Sequence, residues 1–473
     1  MKKIHIPIKK KLSGVSPEIS AAVPVIKKYL MRLNWLQIDY RAETGEGVKK
    51  MPKRYVGKNI FKVDAQDKVT GKAIYSDDIY FDDMLYLKIK RTVHPHAYLR
   101  RINISKVQEL PGVVKIITAA DIPEVKNFGL IIKDQPVLIG IGQKMRYMGD
   151  ALAIVIAETK EIASKAVNLI EVEVEELEIV SDPLRAMEKD APLIHQDGNI
   201  LATHYLEKGD IKKGFAEADV IVENEYRTSF LDQVPLQVEA GVGFYNEESK
   251  VIKIWAATQW LHDTQADIAQ SLGFPKEKIR IIQPVIGGAF GKKEDISVHI
   301  HLALAAMATK RPVKLTYTRE ESMIAQSKRH PFIIRMKTGV TKKGYLTACQ
   351  VEVIGDTGAY ASSGLAVVHK GMYHCTGPYN VDNVKGVAYT VYTNNTYCGA
   401  MRGFGATQMA FAYESQMDIL ARKLEIDPIQ FRLRNAYGIG SSTPNSQILT
   451  HSVGVKETIK EAAEIAGWKG GSR

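Results

Sequence analysis

The sequence predicts an α+β fold made of two domains that follow a basic N-terminal extension. Its 473 residues are about three times the length of an average domain, so more than one domain is expected. Beyond residue 54, short runs rich in β-branched residues alternate with helical stretches. Apolar residues make up 45% and charged residues 25% of the chain, which excludes disorder, collagen and coiled coil as its main state. No apolar run approaches the roughly 18 residues of a membrane-spanning helix.

The basic character of the chain is concentrated in residues 1–54. This extension holds 13 Lys and Arg against 4 Asp and Glu, whereas the other 419 residues hold 51 against 49. The net charge of +11 therefore does not describe a basic groove on the body of the protein, and a nucleic-acid partner is disfavoured. A short helix is predicted over 21–36. The extension is expected to pack on a partner or to remain partly disordered.

We assign residues 55–185 to the first domain and residues 186–473 to the second. In the first domain, strands are predicted over 84–90, 113–118, 151–157 and 169–174, with a helix over 159–168. In the second domain, strands are predicted over 220–228, 250–257, 279–282, 312–317, 333–338 and 346–354. Helices are predicted over 262–272, 297–308, 406–424 and 455–466. Asp427 followed by Pro428 predicts the N-cap and first residue of a further helix that ends at 435.

Three glycine-rich segments could carry chemistry, at 287–294, 355–360 and 399–405. The first follows a predicted strand and precedes a predicted helix, which would favour an anion or oxo group on its backbone N–H groups. It is not a nucleotide-binding P-loop, because Ile286 and Lys293 replace the glycine and the hydroxyl residue of that motif. In the third segment, Phe404 lies between two glycines. Its ring is expected either to stack on a flat substrate or to fold back into the core.

The three cysteines, Cys349, Cys375 and Cys398, are scattered. No C-x-x-C pair occurs, so an iron–sulfur cluster or structural zinc site on this chain is disfavoured. Few and separated thiols are typical of a reducing compartment, which predicts a cytoplasmic protein.

Taken in order along the chain, the motifs resemble the molybdenum-binding subunit of the xanthine dehydrogenase/aldehyde oxidase family. The resemblance covers about residues 55–470 and is carried by Thr258-Gln259, the glycine segments, and Arg329-His330-Pro331. It implies that the first domain is an α/β hammerhead and that the second is the first part of a mixed α/β molybdopterin-binding domain. It also implies a molybdenum–molybdopterin cofactor, either as the pterin alone or in a dinucleotide form. In this family no protein side chain is a ligand of the metal.

The resemblance further assigns roles to individual residues. Gln259 matches a glutamine that donates to a molybdenum oxygen, and Glu294 matches an acidic residue that faces the substrate. Lys370 and Phe404 fall at substrate-binding positions. The implied cofactor-binding residues are Gln259, Gly288, Phe290, Gly291, Arg402 and Gly403. A competing interpretation of Glu294 is an acidic residue at the N-terminus of the following helix.

Three positions depart from the family pattern. Lys370 replaces an arginine, which keeps the positive charge but loses the bidentate geometry. Gln237 replaces a glutamate, and its role is open. Cys398 does not fall on the copper-bridging position of carbon monoxide dehydrogenases, so that activity is disfavoured.

The resemblance also implies an activity and partners. Family members insert water-derived oxygen into an N-heterocycle and pass two electrons to iron–sulfur and FAD centres, here expected on a [2Fe-2S] subunit and an FAD subunit. Family subunits run several hundred residues further and carry a glutamate that acts as general base. A split enzyme resembling nicotinate dehydrogenase is expected, in which a second molybdopterin-binding subunit supplies that glutamate. The alternatives are an aldehyde-oxidising member and a degenerate scaffold subunit.

Overall fold

The computed structural model describes residues 58–122 and 127–471, and the predicted extension with its helix lies outside these residues. Two units separate at Ala73 and Ile74. The strands are β1 (Leu85–Arg91), β2 (Ala97–Asn103), β3 (Val113–Thr118), β4 (Lys144–Met145), β5 (Ala151–Ala157), β6 (Glu171–Glu176), β7 (Ile200–Lys208), β8 (Val220–Arg227), β9 (Ala240–Asn246), β10 (Val251–Ala256), β11 (Ile279–Ile282), β12 (Val313–Thr316), β13 (Phe332–Val340), β14 (Leu346–Gly358) and β15 (Asn383–Tyr392).

The helices are distributed between these strands. They are α1 (Ala65–Val69), α2 (Ser105–Gln108), α3 (Lys160–Asn168), α4 (Pro183–Ala186), α5 (Ile211–Ala216), α6 (Leu261–Leu272), α7 (His299–Thr309), α8 (Arg319–Ala325), α9 (Gly364–Tyr373), α10 (Ala406–Lys423), α11 (Pro428–Asn435) and α12 (Val455–Ile465). The helix α1 belongs to the first unit, and all other helices belong to the second. None of the helices in the described part of the chain is long and apolar enough to cross a membrane.

A seven-stranded mixed sheet has the order β11-β10-β9-β12-β1-β5-β3. Every residue of β5 is buried, because this strand lies inside the sheet and both of its faces are covered. The helix α7 packs on β9 and β10, and its buried Leu302 joins the core under the sheet. This one sheet combines strands from both sides of the predicted domain boundary at 185/186. The sheet order does not locate a boundary, and the one at 185/186 stays a prediction.

A five-stranded sheet has the order β7-β15-β14-β13-β8, and α9 and α10 pack on one of its faces. The strand β8 alternates buried and exposed residues, as expected of a strand with one face on a core. The core between sheet and helices contains Phe332, Met372 and Met409. A third sheet, with the order β4-β2-β6, lies in the region predicted as the hammerhead.

The predicted α+β class is confirmed. Most predicted elements recur within two residues of their expected ends, and Asp427 accepts a hydrogen bond from the Gln430 N–H as an N-cap, with Pro428 next. The strand expected over 169–174 instead spans Glu171–Glu176. Leu169 is the C-cap of α3, and Ile170 is buried in the adjacent core, so the strand begins only after them. The sequence analysis did not predict the strands β2, β4, β7, β9 and β15 or the helices α1, α2, α4, α5, α8 and α9.

Candidate cofactor and substrate site

The first glycine segment is a loop of left-handed residues. Gly288, Phe290 and Gly291 have φ values of +98°, +56° and +103°. A Cβ atom at Gly291 would lie 2.3 Å from the Ala400 carbonyl oxygen, so only glycine fits between the two chains. Phe290 has a positive φ, which is strained for a residue with a bulky side chain, and its side chain is 50% exposed. A large apolar side chain held outward by a strained loop indicates a functional surface.

Gln259 is fixed against this loop. Its N–H donates to the Lys293 carbonyl at 2.8 Å, and its Oε1 accepts from the Gly291 N–H at 3.0 Å. The second contact orients the amide, so that Nε2 is directed away from the loop. Across residues 58–122 and 127–471, no group accepts a hydrogen bond from this nitrogen, and the residue is exposed. The amide can therefore donate to an oxygen atom of a group that binds beside the loop.

The third glycine segment lies against the first. The Arg402 N–H donates to the Phe290 carbonyl at 2.9 Å, and Arg329 donates to the Arg402 carbonyl at 2.9 Å. Gly403 and Phe404 again have positive φ values, of +99° and +51°. The two loops thus repeat one arrangement, a strained phenylalanine beside glycines, and a direct hydrogen bond joins them.

Phe404 packs partly against the core, which is one of the two alternatives that the sequence left open, and its stacking on a substrate stays a prediction. It is half-buried and packs against the core under the five-stranded sheet. The Lys370 ammonium nitrogen lies 5.7 Å from the centre of its ring. Lys370 itself is exposed near the C-terminal end of α9. A Cβ at Gly405 would lie 2.2 Å from the Val367 carbonyl oxygen, so glycine at this position lets the start of α10 approach α9 closely enough to form the pair.

Glu294 is half-buried and does not lie at a helix N-terminus. The helix begins at His299, five residues later, because turns continue from the glycine loop. The helix-start interpretation of Glu294 is therefore wrong, and so is the expectation that a helix start adjoins this loop. No group in the described part of the chain forms a hydrogen bond or ion pair with its carboxylate. Burial, together with the neighbouring Asp295, raises its pKa to about 7.

Other candidate positions have structural roles. Gln237 accepts a hydrogen bond from the Gly287 N–H at 2.8 Å and donates its own N–H to the Gly287 carbonyl, so it anchors the first loop.

In the second glycine segment, Asp356 accepts from Thr393, Asn395 and the Gly358 N–H. That segment is therefore a buried hydrogen-bond network. Cys398 is fully buried, and burial raises the pKa of its thiol well above the ordinary value.

The structure brings the predicted residues together in two groups. Gln259, Gly288, Phe290 and Gly291 meet Arg402 and Gly403 where the loops join, and Lys370 meets Phe404 at the start of α10. Glu294 is linked to the first group by its N–H, which donates to the Gly291 carbonyl at 3.1 Å. No described hydrogen bond or ion pair joins Glu294 to Lys370.

Two supporting residues were not predicted from the sequence. Gln233 is buried and donates to the Ala400 carbonyl at 2.8 Å. The Arg329 guanidinium donates to the Thr407 hydroxyl and to the Arg402 carbonyl, and these two hydrogen bonds fix the third glycine segment in place. Arg329 lies in a motif that the sequence analysis used, but nothing in the sequence distinguishes Gln233 from an ordinary loop residue.

The arrangement fits a flat, oxygen-bearing cofactor. Three features support it: an oriented amide donor at Gln259, a cradle that a Cβ would fill at Gly291, and an exposed ring at Phe290. The fold and these loops indicate a cofactor-binding chain in which backbone and amide groups would surround the bound group. Among the residues that the structure describes, no three His, Cys, Asp or Glu side chains are placed to hold a metal ion.

Comparisons with known proteins agree with this class. Residues 194–436 match the family model described as "Molybdopterin cofactor-binding domain", and residues 70–178 match "Aldehyde oxidase and xanthine dehydrogenase, a/b hammerhead domain". The chain is 43% identical over 411 residues to the nicotinate dehydrogenase large molybdopterin subunit of Eubacterium barkeri, covering 87% of this chain and 96% of that one. It is 33% identical over 420 residues to the xanthine dehydrogenase molybdenum-binding subunit of Escherichia coli O157:H7, covering 86% of this chain and 55% of that one.

Solved structures show the same architecture. The aldehyde oxidoreductase from Desulfovibrio gigas superposes with a TM-score of 0.81 at 29% identity, covering 85% of this chain and 46% of that one. Quinoline 2-oxidoreductase from Pseudomonas putida 86 gives 0.81 at 25% identity, covering 87% and 54%. The chain belongs to the xanthine dehydrogenase/aldehyde oxidase family and is a molybdenum-binding subunit of it. It spans about half the length of several of these relatives and nearly the whole of the Eubacterium subunit.

Proposed function

We propose that this chain is the molybdenum-cofactor subunit of a multi-subunit hydroxylase that inserts water-derived oxygen into a flat, anionic N-heterocycle. The observation that carries the proposal is the Lys370–Phe404 pair. It joins a cation and an aromatic ring at the start of α10, two residues from the loop junction at Arg402. Nicotinate, which appears in the name of one relative, is a heterocycle of this kind.

The residues around the loop junction would hold the cofactor. The Gln259 amide would donate to an oxygen of the molybdenum centre. Backbone groups of Gly288, Phe290 and Gly291 would face it from one loop, and those of Arg402 and Gly403 from the other. The bound cofactor would supply the redox chemistry and the activated water, and the protein would supply orientation and electrostatics. No side chain of this chain is proposed as a ligand of the metal.

Three side chains would bind the substrate. Phe404 would stack on the heterocycle, and Lys370 would attract its carboxylate or enolate. Glu294 in its ionised form would accept a hydrogen bond from a ring N–H and so orient the heterocycle in the site. Its lack of a described partner supports this role, because a half-buried carboxylate without a partner is costly unless a ligand satisfies it.

A second chain would complete the site. We propose that a partner molybdopterin-binding subunit supplies the general base, and that [2Fe-2S] and FAD subunits receive the two electrons. The near-complete coverage of a relative named as a large molybdopterin subunit supports this arrangement. Exposed apolar side chains beside the first loop support a covered surface: Phe290, Leu231, Val234 and Leu236. All three cysteines are free, consistent with the proposed cytoplasmic location.

The direct test is to co-express the chain with its candidate partner subunits and measure molybdenum, pterin and turnover of N-heterocyclic acids with an artificial electron acceptor. Stoichiometric molybdenum with turnover of a heterocyclic acid is expected. A complex that contains no molybdenum would identify a scaffold subunit instead. A preference for simple aldehydes over heterocyclic acids would identify an aldehyde-oxidising member.

A further inference from the structure

Three charged side chains form a buried cluster behind the two glycine loops. Asp232 accepts from the Lys292 ammonium at 2.7 and 2.8 Å and pairs with the Lys328 ammonium at 2.9 Å. The exposed fractions of the three side chains are 5%, 0% and 11%. We refer to these three residues as the lysine–aspartate cluster.

The lysine–aspartate cluster contains two positive charges and one negative charge, so one positive charge has no counter-charge within it. Two ammonium groups share one carboxylate, and no other carboxylate in the described part of the chain forms an ion pair with either lysine. Although burial opposes ionisation, hydrogen bonds from Lys292 and Lys328 keep the pKa of Asp232 below its usual range. A neighbouring buried pair, Lys293 with Glu239, is balanced and adds no net charge.

Each member of the cluster is directly connected to the loop junction. Asp232 precedes Gln233, whose side chain donates to the Ala400 carbonyl. Lys292 follows Gly291, whose N–H donates to Gln259. The Lys328 carbonyl accepts from the Gly399 N–H at 2.9 Å. The surplus charge is therefore built into the three segments that hold the proposed cofactor site together.

An uncompensated buried charge lowers stability unless something balances it. Cys398 is near Lys328, but its thiol stays neutral because burial raises its pKa well above the ordinary value. Burial also lowers the pKa of Lys328, and Asp232 opposes that shift. The Lys328 ammonium also donates to the Gln326 carbonyl oxygen at 2.7 Å, but no described side chain supplies the missing negative charge.

We propose that the lysine–aspartate cluster is an electrostatic anchor for the anionic molybdenum–pterin cofactor, with Lys328 supplying the surplus charge that the cofactor balances. This inference rests on the proposed function and adds a positioning residue that does not touch the substrate. Lys328 acts through charge, so an arginine at the position should retain the effect and a neutral side chain should lose it.

The test compares Lys328→Met, Lys328→Arg and a control, Lys337→Met, in the co-expressed complex. Lys337 on β13 pairs with Glu223 on β8, away from the cluster, so its loss removes a lysine without touching the three residues. Molybdenum per complex is measured after gel filtration at increasing salt, together with the unfolding midpoint of each variant. Lys328→Met leaves the Lys292–Asp232 pair balanced, so the variant is expected to fold.

We expect Lys328→Met to retain molybdenum about tenfold less well than wild type, and Lys328→Arg and Lys337→Met to resemble wild type. Lys328→Gln replaces the methionine variant if the latter is insoluble. Equal loss in the arginine and methionine variants would overturn the proposal, because shape rather than charge would then matter. Full retention in the methionine variant would overturn it as well. A wild-type complex without molybdenum would instead contradict the proposed function.

Discussion

The Lys370 ammonium nitrogen lies 5.7 Å from the centre of the Phe404 ring, within the range of a cation–π contact. The two residues come from different parts of the chain, since Lys370 lies on α9 and Phe404 two residues before α10. The pair sets a positive charge beside an aromatic face. That is the combination needed to bind a flat acid, and it leads to the first prediction.

Replacing Lys370 by methionine should raise KM for a heterocyclic acid at least about tenfold more than KM for the corresponding neutral amide, because only the acid loses a charge partner. Steady-state kinetics on the two substrates measures the difference. Lys423→Met, at the end of α10 and exposed, is the control and should change neither value. Equal effects on acid and amide would show that Lys370 does not bind the anionic group.

Replacing Gln259 by alanine should lower kcat by roughly ten- to a thousandfold, because the change removes a donor directed at a cofactor oxygen. The measurement is turnover normalised to molybdenum content. The matched control is Gln270→Ala, at an exposed position on α6. Unchanged turnover with full molybdenum loading would remove Gln259 from the site.

Glu294 should make both binding and stability depend on pH. Its folded-state pKa of about 7 exceeds that of an exposed glutamate, so the folded state loses stability as pH rises from about 4.5 to 7. Glu294→Gln should therefore raise the unfolding midpoint at pH 8 and leave it unchanged at pH 4. In wild type, KM for a substrate with a ring N–H should rise as pH falls below 7.

Thermal unfolding at the two pH values and a pH series of KM test this prediction. Glu248→Gln, at an exposed position after β9, is the control and should follow wild type. The assignment fails if Glu294→Gln keeps the wild-type pH dependence of KM.

Gly291→Ala should disrupt the loop junction, because the new methyl group would lie 2.3 Å from the Ala400 carbonyl oxygen. The expected loss of unfolding free energy exceeds the ~1 kcal/mol cost of a left-handed alanine alone. Gly198→Ala is a close control, since Gly198 has a φ of +111° and no atom within 4 Å of its Cβ position. Chemical denaturation of both variants gives the comparison, and equal losses would show that the contact with Ala400 is unimportant.

The chain purified by itself should lack turnover and should not retain molybdenum. It would be without the proposed general base, which typically contributes ~10²–10⁴-fold, and the loops would be open to water on one side. Exposed Leu236 and Phe290 should also favour aggregation. Metal analysis and an assay with an artificial acceptor test this. Stoichiometric molybdenum with turnover in the lone chain would contradict the second-subunit proposal.

Local patterns were sufficient to predict many of the elements. The alternation in β8 and the N-cap at Asp427 are short-range signals, and both recur in the structure. The strand β9 was missed because two of its seven residues are glycines, which are depleted in strands. The helix α9 was missed because its buried residues lie on all sides and give no amphipathic period.

The sequence by itself determined the family, the α+β class and the residues of the two glycine loops, because these depend on residue types at fixed positions along the chain. The tertiary structure alone decided how the loops meet. The Arg402–Phe290 hydrogen bond, the Lys370–Phe404 pair and the buried Asp232 with its two lysines join segments that lie 34 to 112 residues apart. No periodicity or spacing reports such contacts, because they depend on how two sheets and their helices pack rather than on any local preference of the chain.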